Sequence, residues 1–139
     1  MNGMELVELI VSKKEYCGYA AVVKNACEKA LKKLKNKGRL EVHIITNGEM
    51  RKINGATRKK DKTTNVLSFE ACGFPRADKK NYLGEVYLAP DFIKKKEQDI
   101  ELLAVHGVLH LLGYTHEEKR DRIIMEGVED EILSFIVKS

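Results

Sequence analysis

The stretch Ile100-Glu101-Leu102-Leu103-Ala104-Val105-His106-Gly107-Val108-Leu109-His110-Leu111-Leu112 reads as a helix with apolar side chains on nearly every side. A helix of that kind must be covered all round, so it belongs at the centre of a domain and the rest of the chain has to enclose it. Upstream, residues 5–11 read as a strand, and residues 40–44 as a half-buried one, with Leu40, Val42 and Ile44 alternating with Glu41 and His43. His43, on the polar side of that strand, reads as a surface residue. From Tyr16 a helical spacing runs through Tyr19, Val23, Ala26, Ala30 and Leu34, with Gly38 after a lysine-rich last turn as its stop. Thr46 and Glu49 have the spacing of a capping box for a short helix ending near Gly55. Residues 66–69 and 82–89 give two more strands, joined as a hairpin or short crossover by a loop with Gly73 and Pro75. Pro90-Asp91 opens a further helical region. Downstream, residues 117–137 place Ile124, Val128, Ile132, Phe135 and Ile136 on one broad face of a last helix. Four strands and about four helices in mixed order predict an α+β domain.

At 139 residues the chain has room for one domain, and a hydrophobic content of 43% is enough to give it a core. Its apolar runs fall far short of the roughly 20 residues a membrane span needs, and residues 1–5 lack a secretory layout, so the expectation is a cytoplasmic protein. Cys17, Cys27 and Cys72, odd in number and without a C-x-x-C pair, fit a reducing compartment and read as small buried hydrophobes. Charge is uneven: residues 24–62 hold thirteen Lys/Arg against four acids, and residues 97–135 hold ten acids against three Lys/Arg. The first half can therefore face an anionic partner, nucleic acid being the commonest.

Three of the four histidines fall between positions 106 and 116. His106 and His110, four apart on a helix, stand on one face with side chains about 5–6 Å apart, near enough to share one zinc ion. Gly113 can take a left-handed conformation, end the helix and turn the chain back so that His116 supplies a third nitrogen. Three imidazoles leave a tetrahedral ion one open position, the catalytic arrangement of zinc, although nickel or cobalt would accept the same ligands. The spacing H-x-x-x-H-x-x-G-x-x-H is shared with the metzincin peptidases, which carry a Glu directly after the first His as general base. Here that place is held by Gly107. Without the carboxylate the peptidase reading loses its base, whereas the metal reading stands. Met125 reads as core packing, not as a floor beneath the metal.

The run from His106 to His116 resembles the signature H-G-x-L-H-L-x-G-Y-D-H of the YbeY family of rRNA maturation factors, zinc proteins regarded as endoribonucleases. It matches at every specified position except Thr115, where the family has Asp. A second family block, R-x-K-D-x-x-T-D-V-L-S-F, is similar to the run from Arg58 to Phe69, with Asn65 in place of Asp. A third, L-G-[DE]-[IV], is similar to Leu83-Gly84-Glu85-Val86. The resemblance implies one zincin-like α+β domain over residues 1–139, with an approximately four-stranded mixed sheet packed on a central helix and further helices. It implies one Zn2+ per chain on His106, His110 and His116, and Arg58 as the basic residue of RNA processing. It also implies single-stranded rRNA as substrate, in 3′-end maturation of small-subunit rRNA, and ribosomal particles as partners.

The residues themselves agree on charge. Arg58 can hold a phosphate through two parallel hydrogen bonds, and Lys59, Lys60 and Lys62 extend the basic surface along an RNA backbone. Asn65, Ser68 and Thr115 are expected to orient the ligating rings, the two departures keeping a hydrogen-bond acceptor while losing a charge. No nearby Glu stands in for the missing base. The nucleophile is then activated water or the substrate's own 2′-OH, with Arg58 stabilising charge on the phosphate. Two other readings stay open at this point: a non-catalytic, metal-containing ribosome-assembly factor, and a metal-dependent hydrolase of a non-RNA substrate. The sequence leaves the oligomeric state undefined.

Overall fold

Strand β2 (Arg39–Ile44) buries Leu40, Val42 and Ile44 and turns Glu41 and His43 to the other face, as its alternation predicts. The computed structural model describes residues 6–71 and 81–138; Glu5, Cys72, Gly73 and Pro75 lie outside the described residues. Strand β1 (Val7–Val11) runs parallel to β2, and β4 (Tyr82–Leu88) runs parallel to β2 on its other side. β3 (Val66–Glu70) closes the sheet antiparallel to β4, giving the order β1-β2-β4-β3. The sheet is thus mixed and four-stranded, with the 66–69 and 82–89 runs side by side.

Helix α1 (Cys17–Lys33), entered through one 3-10 turn over Lys14–Tyr16, buries Val23, Ala26, Cys27, Ala30 and Leu31, the stripe its spacing predicts. Its stop is not Gly38: Lys35 takes the left-handed conformation at φ 55°, and the Asn36 N–H closes onto the Leu31 carbonyl at 2.9 Å. Helix α2 (Asn47–Arg58) starts at the expected capping box, with the Glu49 N–H on Thr46 Oγ1 at 3.1 Å and the Thr46 N–H on Glu49 Oε1 at 2.9 Å. It continues past Gly55, so that its last turn ends on Arg58.

Helices α3 (Pro90–Lys95) and α4 (Ile100–Leu111) follow β4, and α5 (Lys119–Lys138) ends the described chain, which makes five α-helices among the described residues where about four were expected. α4 is central: it packs on α1, β3, β4 and α5, and Ala104, Val105, Gly107, Val108, Leu109 and Leu111 are buried. Asp99 caps its first turn, accepting from the Glu101 N–H at 2.9 Å. A smaller apolar cluster of Ile45, Met50, Leu67 and Ala89 lies under α2. Met125 is buried, as expected, but Ile124 is exposed and the inner stripe of α5 runs through Met125, Val128, Glu129, Ile132 and Ile136. Cys27 is buried, which pushes its thiol up to about 12, with Glu28 adding to the shift; Cys17, against expectation, is exposed on the first turn of α1. No described helix is long and apolar enough to cross a membrane.

Candidate metal centre

One turn of α4 separates His106 from His110, and their Nε2 atoms lie 3.0 Å apart. Gly113, at φ 97°, ends the helix, with its own N–H on the His110 carbonyl at 3.1 Å and the Tyr114 N–H on the Leu109 carbonyl at 3.0 Å. The chain turns back as its glycine predicts. His116 then faces the helix rings, with ring centroids 5.3 Å from His106 and 4.9 Å from His110. Each of the three offers one nitrogen, and those nitrogens all lie within 4.8 Å of one another.

The far sides of the helix rings are held. His106 Nδ1 meets Glu129 Oε2 at 2.7 Å, and His110 Nδ1 meets the Tyr114 carbonyl at 3.0 Å. An Nδ1 that donates to an oxygen leaves Nε2 as a bare lone pair, so two lone pairs are aimed at the same point. Two neutral rings so placed repel unless a proton or a metal cation lies between them, and the three-imidazole donor set fits a tetrahedral zinc-type ion. Burial, with the charges of His106 and His116, lowers the His110 pKa from its ordinary value and favours the neutral, ligating form. Glu129, only 8% exposed, was not singled out by sequence reasoning. Its signal is an acid on the apolar stripe of α5, four residues after Met125 and three before Ile132.

The rings form one wall of a cavity of about 430 Å³ that Arg58, from the last turn of α2, also lines. Lys59, Lys60 and Lys62 follow Arg58 in an exposed segment and are not among the lining residues. That segment is shaped from within: buried Asn54 donates to the Lys62 carbonyl at 2.9 Å, and exposed Asp61 pairs with Arg51 at 2.7 Å. Two carboxylates the sequence reading had not placed nearby, Glu70 and Glu117, also line the cavity.

Asn65, Ser68 and Thr115 all line the cavity too, but the helix rings rest on Glu129 and the Tyr114 carbonyl. Asn65 donates to Gln98 Oε1 at 3.1 Å and accepts from the Val66 N–H at 2.7 Å, shaping the start of β3. Ser68 Oγ donates to the Gly107 carbonyl at 3.0 Å, which fastens α4 to β3 beside His106. Thr115 is exposed between Tyr114 and His116. Gly107 itself shows why no acid follows the first histidine. A Cβ there would sit 2.6 Å from Val86 Cγ1 and 3.2 Å from Ser68 Oγ, so position 107 faces the sheet and not the cavity.

Comparison with known proteins points to one family and one fold. The sequence profile described as Endoribonuclease YbeY matches residues 9–137. The protein named Endoribonuclease YbeY from Francisella tularensis subsp. novicida (strain U112) is 36% identical over 106 residues, covering 68% of this chain and 65% of its own. That from F. tularensis subsp. tularensis (strain FSC 198) is also 36% identical, with 68% and 63% covered. The match thus spans just under two thirds of those relatives' length. The solution structure of TM1509 from Thermotoga maritima superposes with a TM-score of 0.59 at 23% identity, covering 94% of this chain and 88% of that one, and so shares the fold.

Proposed function

The chain belongs to the Endoribonuclease YbeY family, and from that premise we propose that it is a metal-dependent endoribonuclease. Its substrate is single-stranded rRNA, its task the 3′-end maturation of small-subunit rRNA within ribosome biogenesis, and its setting the cytoplasm beside ribosomal particles. One Zn2+ per chain is held by His106, His110 and His116. The observation that carries this reading is the convergence of three imidazole nitrogens on the wall of a cavity that Arg58 also lines.

A zinc ion bound there supplies a Lewis acid toward a phosphoryl oxygen and makes water acidic near neutral pH. The chain's own groups do the rest. Arg58 grips the scissile phosphate and offsets the charge that builds on it in the transition state. Lys59, Lys60 and Lys62 hold neighbouring phosphates outside the cavity. Glu70 or Glu117 takes the proton from the nucleophile, the role that Gly107 cannot fill. Glu129 fixes the tautomer of His106, while Ser68 and Asn65 keep α4 and β3 in register around the rings.

The test is metal analysis of the purified protein together with digestion of a structured rRNA fragment, with and without chelator. Close to one zinc per chain and chelator-sensitive cutting are expected; undiminished cutting by metal-free protein would overturn the reading. His110→Ala separates an enzyme from a non-catalytic assembly factor, since it should abolish cleavage in the first case and merely loosen RNA binding in the second. Products bearing a 2′,3′-cyclic phosphate identify the 2′-OH as nucleophile, and cleavage at a 2′-deoxy residue excludes it.

A further inference from the structure

On the sheet face opposite α4, the strand register lines up Glu8, Glu41 and Glu85 across β1, β2 and β4. His43 stands two residues along β2 from Glu41 and is not the surface residue its sequence context indicated. Its side chain is 20% exposed and lies flat on Tyr87, with ring centroids 4.5 Å apart and planes at 18°. That stacking aims Nε2 at Glu41 Oε1, 3.1 Å away. Tyr87 donates its hydroxyl to Glu85 Oε1 at 2.8 Å, and Tyr82 lies 3.4 Å from Glu85 Oε2. One ligand atom from each of Glu41, His43 and Glu85 lies within 4.8 Å of the other two.

We propose that Glu41, His43 and Glu85 form a second divalent-cation site, separate from the histidine centre and tying β2 to β4. Two carboxylates and one imidazole are a donor set for a first-row divalent ion such as Mn2+, which accepts oxygen ligands readily. The 3.1 Å between His43 Nε2 and Glu41 Oε1 is close to the roughly 3.0 Å expected of adjacent ligands on an octahedral ion at about 2.1 Å. Glu85 supplies the third ligand atom, within 4.8 Å of the other two, where opposed ligands on such an ion are about 4.2 Å apart. A carboxylate has about four acceptor positions, so Glu85 keeps both tyrosine contacts while binding the ion. On binding, the His43 ring takes the tautomer with its proton on Nδ1 and leaves Nε2 to the cation. Glu41 and Glu85 stand directly opposite in register, so a cation shared between them ties β2 to β4. Tyr82 and Tyr87, whose hydroxyl pKa values are pushed up by burial and by Glu85, stay protonated as donors that hold the cluster in place.

The test uses the full chain carrying one equivalent of zinc, titrated with Mn2+ and followed by the EPR signal of the free ion. About one further equivalent of Mn2+ should be taken up, and Glu85→Gln and His43→Ala should each weaken that uptake by roughly tenfold or more with zinc content unchanged. Far-UV and tyrosine near-UV circular dichroism identifies a variant that has failed to fold, and the other variant then decides. Absence of Mn2+ uptake by the folded wild type overturns the proposal. So does uptake that survives in the folded variants, or that disappears in His110→Ala while persisting in Glu85→Gln. Apart from the last of these, the results leave the histidine centre untouched, and its own test is zinc content and RNA cleavage.

Discussion

Glu129 presents a carboxylate to the core of α5 and finds a single ring nitrogen, His106 Nδ1, at 2.7 Å. A carboxylate so placed raises the basicity of the ligating nitrogen on the far side of the ring, and removal of such partners weakens metal binding by about 10–100-fold. Glu129→Gln should therefore lower zinc affinity within that range, as read by competition with a chromophoric chelator, while the fold persists; unchanged affinity would make the contact merely structural. Gly107 is the second residue that governs the site without touching a substrate. Gly107→Ala forces a methyl against Val86 and Ser68, and a loss of about 1–3 kcal/mol in urea unfolding is expected. The three histidines were legible because a helix fixes the four-residue step and a glycine announces the return of the chain. Glu129 was not singled out: its place on the apolar stripe of α5 is a local signal of burial, but the partner that explains it lies 23 positions away. His43 was misread for the same reason, its surroundings being set by a neighbouring strand.

Helix α2 does for Arg58 what α4 does for the histidines: it sets where a side chain leaves the scaffold. Its start is held by the reciprocal Thr46/Glu49 bonds, so Thr46→Ala should cost about 1 kcal/mol of stability at neutral pH, measured by urea unfolding. The Thr46 N–H, aided by the Ser12 and Thr46 hydroxyls, holds the Glu49 carboxyl below its ordinary value of 4.5. A depressed folded value means a contribution that is complete above that pH and lost as acid titrates the group. The stability gap between wild type and Glu49→Gln should accordingly close as pH falls below 4.5, and a gap independent of pH would deny the carboxylate any part. Element types followed from spacing almost throughout, since apolar periodicity and caps are local signals. Ends were less legible, as with the left-handed turn at Lys35 and the continuation of α2 to Arg58. The strand order was not legible, because the pairing of β2 with β4 joins segments some forty residues apart and no local pattern encodes it.

Charge that divides cleanly along the sequence is redistributed by folding, and this bears on how the whole molecule would meet the RNA proposed as its substrate. Lys29 and Lys33 of the basic stretch lie over the ring of Phe135, 5.3 and 5.9 Å from its centroid, on the acid-rich helix α5. Arg51 is engaged by Asp61. Of the positive excess in residues 24–62, Arg58 lines the cavity, and Lys59, Lys60 and Lys62 follow it in the chain as exposed side chains. Each phosphate neutralised on a single strand contributes about 0.7 to the slope of log affinity against log salt, so four contacts predict a slope of about −3. Replacing Lys59, Lys60 and Lys62 together by Gln should bring it to about −1, with little change in stability because all three are exposed. Arg58→Ala should shift the slope by less than one unit yet remove most of the cleavage, as the role proposed for it at the reacting phosphate requires. Fluorescence anisotropy of a single-stranded RNA titrated at several KCl concentrations, paired with cleavage rates, separates the two effects. A triple variant with an unaltered slope would place the phosphate contacts on another face, and the α2 end would then serve only to carry Arg58 to the metal centre.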